Sequence, residues 1–238
     1  MLRPELRDRN PQEGTLMAIF IIPARGGSKR IPNKNIKPFK GVPIIERVIK
    51  TVKQSDLCQH LFVSTDDEQI MDIAESAGAD IIARPCHLAT DHAKTREVME
   101  HAVGYIDAND FSTICCIYPT SVFTTPEDIR SALYLLDMQK NHFVISATEY
   151  SHPPQRSLHL ADNFHVMPQH PELMEHRTQD LTPTYHDAGQ FYWAQASTWL
   201  SNKPIISRQT KAYIMPRSRA IDIDTPEDWL IAERLFEE

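Results

Sequence analysis

Long apolar runs are missing from this 238-residue chain. No stretch approaches the roughly 18 to 20 consecutive apolar residues that span a bilayer, and residues 1–16 hold no apolar core of the kind an export signal needs. A surplus of positive charge is missing as well. With 25 Lys and Arg against 32 Asp and Glu, the formal net charge is -7. That balance excludes a general nucleic-acid binder, which must neutralise phosphates. Cysteine is scarce: Cys58, Cys86, Cys115 and Cys116 form no C-x-x-C pair and sit mostly among apolar neighbours, as reduced and packed thiols do in the cytoplasm. The eleven histidines contain no H-E-x-x-H or other compact metal-ligand pattern, and no Ser-His-Asp arrangement can be assigned. Glycine is rare too, at seven residues, so two adjacent glycines at 26 and 27 stand out.

What is present is a rhythm of short apolar runs alternating with helical segments. Residues 18–22, AIFII, read as a strand buried on both faces and ending at the Gly-rich loop. Strands follow near 61–64, 80–82, 113–117 and 143–146, separated by helices near 44–52, 67–77, 94–107 and from 125 onward. Thr125-Pro126-Glu127-Asp128 and Thr225-Pro226-Glu227-Asp228 are matching helix starts, with a capping threonine, a first-turn proline and two acids facing the positive dipole end. The pattern predicts a three-layer α/β/α sandwich on a mostly parallel, Rossmann-like sheet, with ligands beyond the carboxyl ends of the strands. Residues 1–16, polar and broken by Pro4, Pro11 and Gly14, read as a disordered extension ahead of a single domain over 17–238. Between 150 and 194 the rhythm fails, and five prolines mark an inserted arm of the kind that contacts a partner subunit.

Two clusters carry chemistry. Directly after the first strand, Ala24-Arg25-Gly26-Gly27-Ser28-Lys29-Arg30 and Lys34-Asn35 combine backbone that can approach closely with four cations, as a polyphosphate site needs. The loop is neither a Walker A sequence nor G-x-G-x-x-G, and a solvated basic turn is the rival reading. Near the C-terminus, Asp222-Ile223-Asp224 alternates so that an extended strand would bring both carboxylates to one side. Such a pair suits Mg²⁺ completed by phosphate oxygens and water, while Asp224 could equally be a plain helix cap. Asp66, Asp67 and Asp91 have the same double reading, between helix capping and direct chemistry.

The segment P-A-R-G-G-S-K-R-I-P-N-K-N at 23–35 resembles the first motif of the acylneuraminate cytidylyltransferase family. V-S-T-D-D at 63–67, R-P-C-H-L-A-T-D at 84–91 and D-I-D-T at 222–225 extend the resemblance over residues 18–238. It implies a nucleotide-diphospho-sugar transferase that joins CMP from CTP to a nine-carbon acidic sugar, a nonulosonic acid, and releases pyrophosphate. By the resemblance, Ala24, Arg25, Gly26, Gly27, Ser28, Lys29, Lys34 and Asn35 bind the nucleotide, Arg84 lies beside it, and Ala93 approaches the base through its backbone. Arg25 and Lys34 would stabilise departing pyrophosphate. Asp222 and Asp224 would be both catalytic and the ligands of Mg²⁺, with Mn²⁺ as a substitute.

The acceptor end is assigned the same way. Arg177-Thr178-Gln179-Asp180-Leu181 is similar to the R-x-Q-x-L stretch of sialic-acid members, where Arg177 would grip the sugar carboxylate with a bidentate fork, in a neighbouring subunit's site within a homodimer. His186 to Trp193 (H-D-A-G-Q-F-Y-W), and Tyr118 where sialic-acid members carry glutamine, look like the pseudaminic acid branch. The sugar-binding set is thus Tyr118, Arg177, Gln179, Gln190 and Tyr192, whereas Phe191 and Trp193 read as core. The rivals are an enzyme for N-acetylneuraminic or legionaminic acid and, in another class, a nucleotide-binding regulator without turnover.

Overall fold

A computed structural model describes residues 17–110, 112–137 and 142–236; the disorder expected of residues 1–16 lies outside them. Strand β1 (Ala18–Pro23) leads through a small hairpin, β2 (Pro38–Phe39) and β3 (Val42–Pro43), into helix α1 (Ile44–Lys53). The chain continues through β4 (Cys58–Thr65), α2 (Glu68–Ser76), β5 (Asp80–Ala83), α3 (Thr95–Tyr105), β6 (Thr113–Ile117), α4 (Pro126–Leu133) and β7 (Val144–Glu149). An arm follows, carrying the hairpin β8 (Leu158–Leu160) and β9 (Val166–Pro168), before β10 (Tyr185–Gln195), α5 (Ala196–Trp199), β11 (Lys211–Ile214) and α6 (Pro226–Leu235) complete the domain. No helix among the described residues is long and apolar enough to cross a membrane.

Seven strands form one sheet in the order β11-β7-β10-β6-β1-β4-β5. All neighbours are parallel except β10, which runs antiparallel to both β6 and β7. Strict alternation fills both faces. Phe20 and Ile22 of β1 join Cys115, Phe191 and Trp193 beneath α1, α2, α4 and α6, while Ile19 and Ile21 join Ile114, Cys116 and Ala194 beneath α3 and α5. Phe191 and Trp193 are wholly buried, as expected of core residues. The three-layer sandwich stands.

The arm is shorter than the sequence suggested. Residues 185–195 are not part of an insertion; they are β10, in the interior of the sheet. Prolines and histidines upstream masked the change of rhythm at Tyr185. The irregular segment therefore ends at Thr184, and its hairpin leaves Leu158, Leu160, Val166 and Met167 exposed.

β10 also carries the distortion that shapes the site. It pairs with β7 at Asp187↔Ala147 and again at Tyr192↔Ile145, so four residues of β10 bulge out against one of β7. Ser146 Oγ accepts from the amides of Gln190 and Phe191, at 3.1 Å each, replacing the lost ladder bonds. Gly189, at φ +62°, makes the turn.

A second anchor lies at the other edge. Asp128, 2% exposed, closes the cap of α4 with Thr125 and accepts from Tyr213 Oη and Arg219 Nη2, each at 2.8 Å. Burial works to raise its pKa, but the bonds from Arg219, Thr125 and Tyr213 outweigh it and hold the carboxyl below its usual range. Arg219 also donates to Phe123 O at 3.1 Å, which fixes the chain just before the acidic segment at 222–224.

Candidate active site

The carboxyl ends of β1, β4, β5 and β6 and the bulge of β10 open onto one edge, where a cavity of about 470 Å³ lies. Its wall draws on distant parts of the sequence. Arg25, Ser28, Lys34 and Asn35 come from the first loop, Arg84, Asp91 and Ala93 from the segment after β5, and Tyr118 from the end of β6. Tyr192 of β10 and the acids Asp222 and Asp224 also line it.

Hydrogen bonds hold the loop in shape. Asn35 donates to Arg25 O at 2.9 Å, and the amide of Gly26 donates to Asp66 Oδ1 at 3.0 Å. A side chain at position 26 would crowd Asp67: a Cβ there would lie 2.8 Å from Asp67 Oδ2 and 3.0 Å from Asp67 Cβ, so Asp67 would have to shift. Asp67 itself caps α2, accepting from the amide of Ile70 at 3.0 Å. The capping alternative therefore describes Asp67, and Asp66 acts on the loop backbone. Ala24 is buried, and Gly26, Gly27 and Lys29 stand beside the cavity without lining it.

The four cations are each met by an acid. Asp91 receives Arg25 and Lys29 at 2.5 Å each, and these two bonds hold its carboxyl below the usual range. Asp91 thus bridges loop cations and does not cap α3, whose N-cap is Lys94. Asp224 receives Lys34 at 3.0 Å and Arg30 at 2.9 Å, and Lys34 also donates to Ile223 O at 2.8 Å. Arg84 is nearly buried and donates to Ser64 O at 2.6 Å; burial lowers its pKa to about 10, so it stays charged at neutral pH.

Asp222 differs. It receives no hydrogen bond from the described residues, and although it opens to solvent through the cavity mouth, its walls strip part of its hydration. That desolvation, and then the charge of Asp224, raise its pKa. Burial would raise Asp224 as well, but Lys34 and Arg30 reverse the sign. One carboxylate of the pair is compensated and the other is not, which is the electrostatic condition for an added cation. Residues 220–224 join no strand of the sheet, contrary to the extended-strand expectation, yet both acids reach the cavity. Among the described residues no three metal-ligating side chains converge; Asp222 and Asp224 offer two carboxylates on the cavity wall.

At the acceptor end three expectations change. Gln190 is 1% exposed, does not line the cavity, and donates to Ala188 O at 2.8 Å and Ile221 O at 3.2 Å. The bulge turns it inward, so its amide ties β10 to the acidic segment and faces away from the cavity. Gln179 lines a separate cavity of about 420 Å³ at the foot of the arm, and exposed Arg177 lines neither. The lining residues not singled out as site residues from the sequence include Thr95, bonded to Tyr118 Oη, and Asp187. Asp187 accepts from Gly189 N at 2.8 Å, an Asx turn whose D-x-G spacing was a readable signal.

A family model described as cytidylyltransferase matches residues 19–226. The chain is 34% identical over 221 residues to the pseudaminic acid cytidylyltransferase of Campylobacter jejuni, covering 92% of this chain and 95% of that one. It is 35% identical over 231 residues to the CMP-N,N'-diacetyllegionaminic acid synthase of Legionella pneumophila, covering 92% and 96%. Among solved structures, CMP:2-keto-3-deoxy-manno-octonic acid synthetase complexed with CTP superposes with a TM-score of 0.66 at 17% identity, over 92% of this chain and 98% of that one. That likeness speaks for the fold alone.

Proposed function

Because the chain belongs to the cytidylyltransferase family, we propose that it transfers CMP from CTP to pseudaminic acid in the cytoplasm. The observation that carries the transfer is a single cavity lined by Arg25, Ser28, Lys34 and Asn35 together with Asp222 and Asp224. The sugar's anomeric hydroxyl oxygen attacks the α-phosphorus of CTP as its proton passes to solvent, the bond from the α-phosphorus to the bridging oxygen breaks, and pyrophosphate leaves. Arg25 and Lys34 hold the departing phosphates, Ser28 adds a neutral donor, and Arg84 and Ala93 flank the nucleotide. Asp222 and Asp224 would hold Mg²⁺, which when bound supplies charge neutralisation at the triphosphate. The exposed Asp222, which no cation among the described residues meets at hydrogen-bond distance, favours this assignment.

Overall identity does not separate the pseudaminic and legionaminic relatives, at 34% and 35%. The acceptor wall does the separating in this reading. Tyr118 and Tyr192 meet edge to face with ring centroids 5.7 Å apart, giving an aromatic surface where sialic-acid members carry a glutamine amide. Pyrophosphate release from CTP should therefore show kcat/KM for pseudaminic acid above those for legionaminic and N-acetylneuraminic acids, by about a hundredfold. A preference for either of the others refutes the acceptor assignment, and no release with any of them refutes the transfer.

The cations lining the cavity, Arg25, Lys34 and Arg84, all belong to its nucleotide end, which leaves none for the acceptor's carboxylate. We assign that contact to Arg177 of a second copy, carried by an arm whose exposed Leu158, Leu160, Val166 and Met167 suit burial between subunits. Equilibrium sedimentation should give twice the chain mass of 27.3 kDa. A monomer at micromolar concentration would remove this contact from the mechanism.

A further inference from the structure

The acceptor wall contains a third carboxylate that the reaction just described leaves unused. Asp187 is half-buried at the lip of the β10 bulge and lines the cavity with Tyr192 and Asp222. Both of its oxygens are held from inside: Oδ1 accepts from Gly189 N and Oδ2 from Tyr192 Oη, each at 2.8 Å. The phenols behind it stay neutral, since burial pushes the pKa of both Tyr192 and Tyr118 up. Tyr118 Oη is in turn bonded to Thr95 Oγ1 on the first turn of α3. The result is a braced wall that runs from Thr95 through Tyr118 and Tyr192 and ends on Asp187.

An ionised carboxylate accepts at about four lone-pair positions and donates at none. Two positions of Asp187 are spent internally, which leaves capacity on each oxygen for a donor arriving from the cavity. Asp222 stands across Gly189, where a Cβ would lie 3.8 Å from its carboxyl carbon. Asp187 itself offers acceptors only, so a hydroxyl or an acylamino N–H can bind it and the sugar's own carboxylate cannot.

We propose that Asp187 is a specificity-determining residue that accepts a hydrogen bond from a hydroxyl or acylamino N–H of the acidic sugar, and so fixes how the sugar sits on the Tyr118–Tyr192 wall. The assignment rests on the cavity being the CMP-transfer site. It predicts that recognition at this corner selects for a neutral donor substituent on the acceptor and leaves the CTP end untouched.

The test uses the full chain with Asp187→Asn and Asp187→Ala, pseudaminic acid, and analogues lacking one hydroxyl or acylamino group at a time. A lost hydrogen bond to a charged group should raise the sugar's KM by about 10- to 100-fold in both variants, with the KM for CTP within about twofold. One analogue should be as poor a substrate for the unaltered enzyme as the intact sugar is for Asp187→Ala. That variant should no longer distinguish the analogue from the intact sugar. Equal losses on every analogue, or a matching rise in the KM for CTP, would mean that Asp187 only pins the bulge and would overturn the proposal. Melting temperature and CTP affinity report whether the variants keep the fold. Unaltered enzyme that releases no pyrophosphate with any nonulosonic acid overturns the transfer reading and this assignment together; active enzyme with an unchanged sugar KM in Asp187→Ala overturns this assignment alone.

Discussion

Asp222→Asn should reduce pyrophosphate release by about a thousandfold while leaving the protein at least as stable as before. The two halves of that expectation come from the same imbalance. Asp222 has a raised pKa, from loss of hydration and from the charge of Asp224, so the folded state binds its proton more tightly than the unfolded chain does. A carboxyl of this kind lowers stability once the pH has risen through its folded pKa, and has no effect below the ordinary carboxylate range. Replacing it with a neutral isostere removes the penalty at neutral pH and nothing in acid. Asp224 has the opposite sign: Lys34 and Arg30 hold its pKa down, so its stabilisation is present at neutral pH and is lost as the pH falls through the folded value. Asp224→Asn should therefore lose activity to a similar degree and also lower the melting temperature at neutral pH. Pyrophosphate assays paired with melts at neutral and acidic pH check both signs. Asp222→Asn that keeps a tenth of the activity would remove Asp222 from the reaction, and a variant that melts clearly lower would overturn the electrostatic imbalance.

The parts of this site legible from sequence were those encoded over a few adjacent residues. The cation-rich loop after β1 and the two threonine caps at 125 and 225 are local devices, with the capping residue, the proline and the acids all within four positions. Parallel strands buried on both faces also announce themselves as short apolar runs. What resisted reading depends on tertiary register. Gln190 and Tyr192 share strand parity, so both were expected at the sugar; the bulge between Asp187 and Tyr192 rotates Gln190 inward and leaves Tyr192 facing the cavity. No local pattern reports a bulge stabilised by Ser146, which is 44 residues upstream. Likewise, the pairing of Asp91 with Arg25 and Lys29 joins two loops that only the adjacency of β1, β4 and β5 brings together.

Counting positive charges would rank Lys29 and Lys34 alike; their surroundings do not. Lys34 is 20% exposed and is fixed at two points, Asp224 Oδ1 and Ile223 O, so it is oriented before any ligand arrives. Lys29 is 79% exposed and meets a single partner, Asp91, on the solvent-facing side of the loop. A preorganised cation in a partly dehydrated cleft stabilises developing charge far more than a mobile one in water, because neither reorganisation nor solvent screening intervenes. Lys34→Met, which nearly keeps the side chain's length and volume, should cut kcat by about 100- to 1,000-fold, whereas Lys29→Met should raise the KM for CTP by less than about tenfold with kcat nearly intact. Lys34→Met should also lower the melting temperature, since it leaves Asp224 only the exposed Arg30 as an ion-pair partner and frees the loop from the acidic segment. Lys34→Arg tests orientation apart from charge: the planar fork cannot meet a carbonyl and a carboxylate from the ammonium's position, so restoring the charge should restore little of the rate. Equal losses in the two Lys→Met variants would mean that the loop acts through its summed charge, and the geometry joining Lys34 to Asp224 would then have no part in the chemistry.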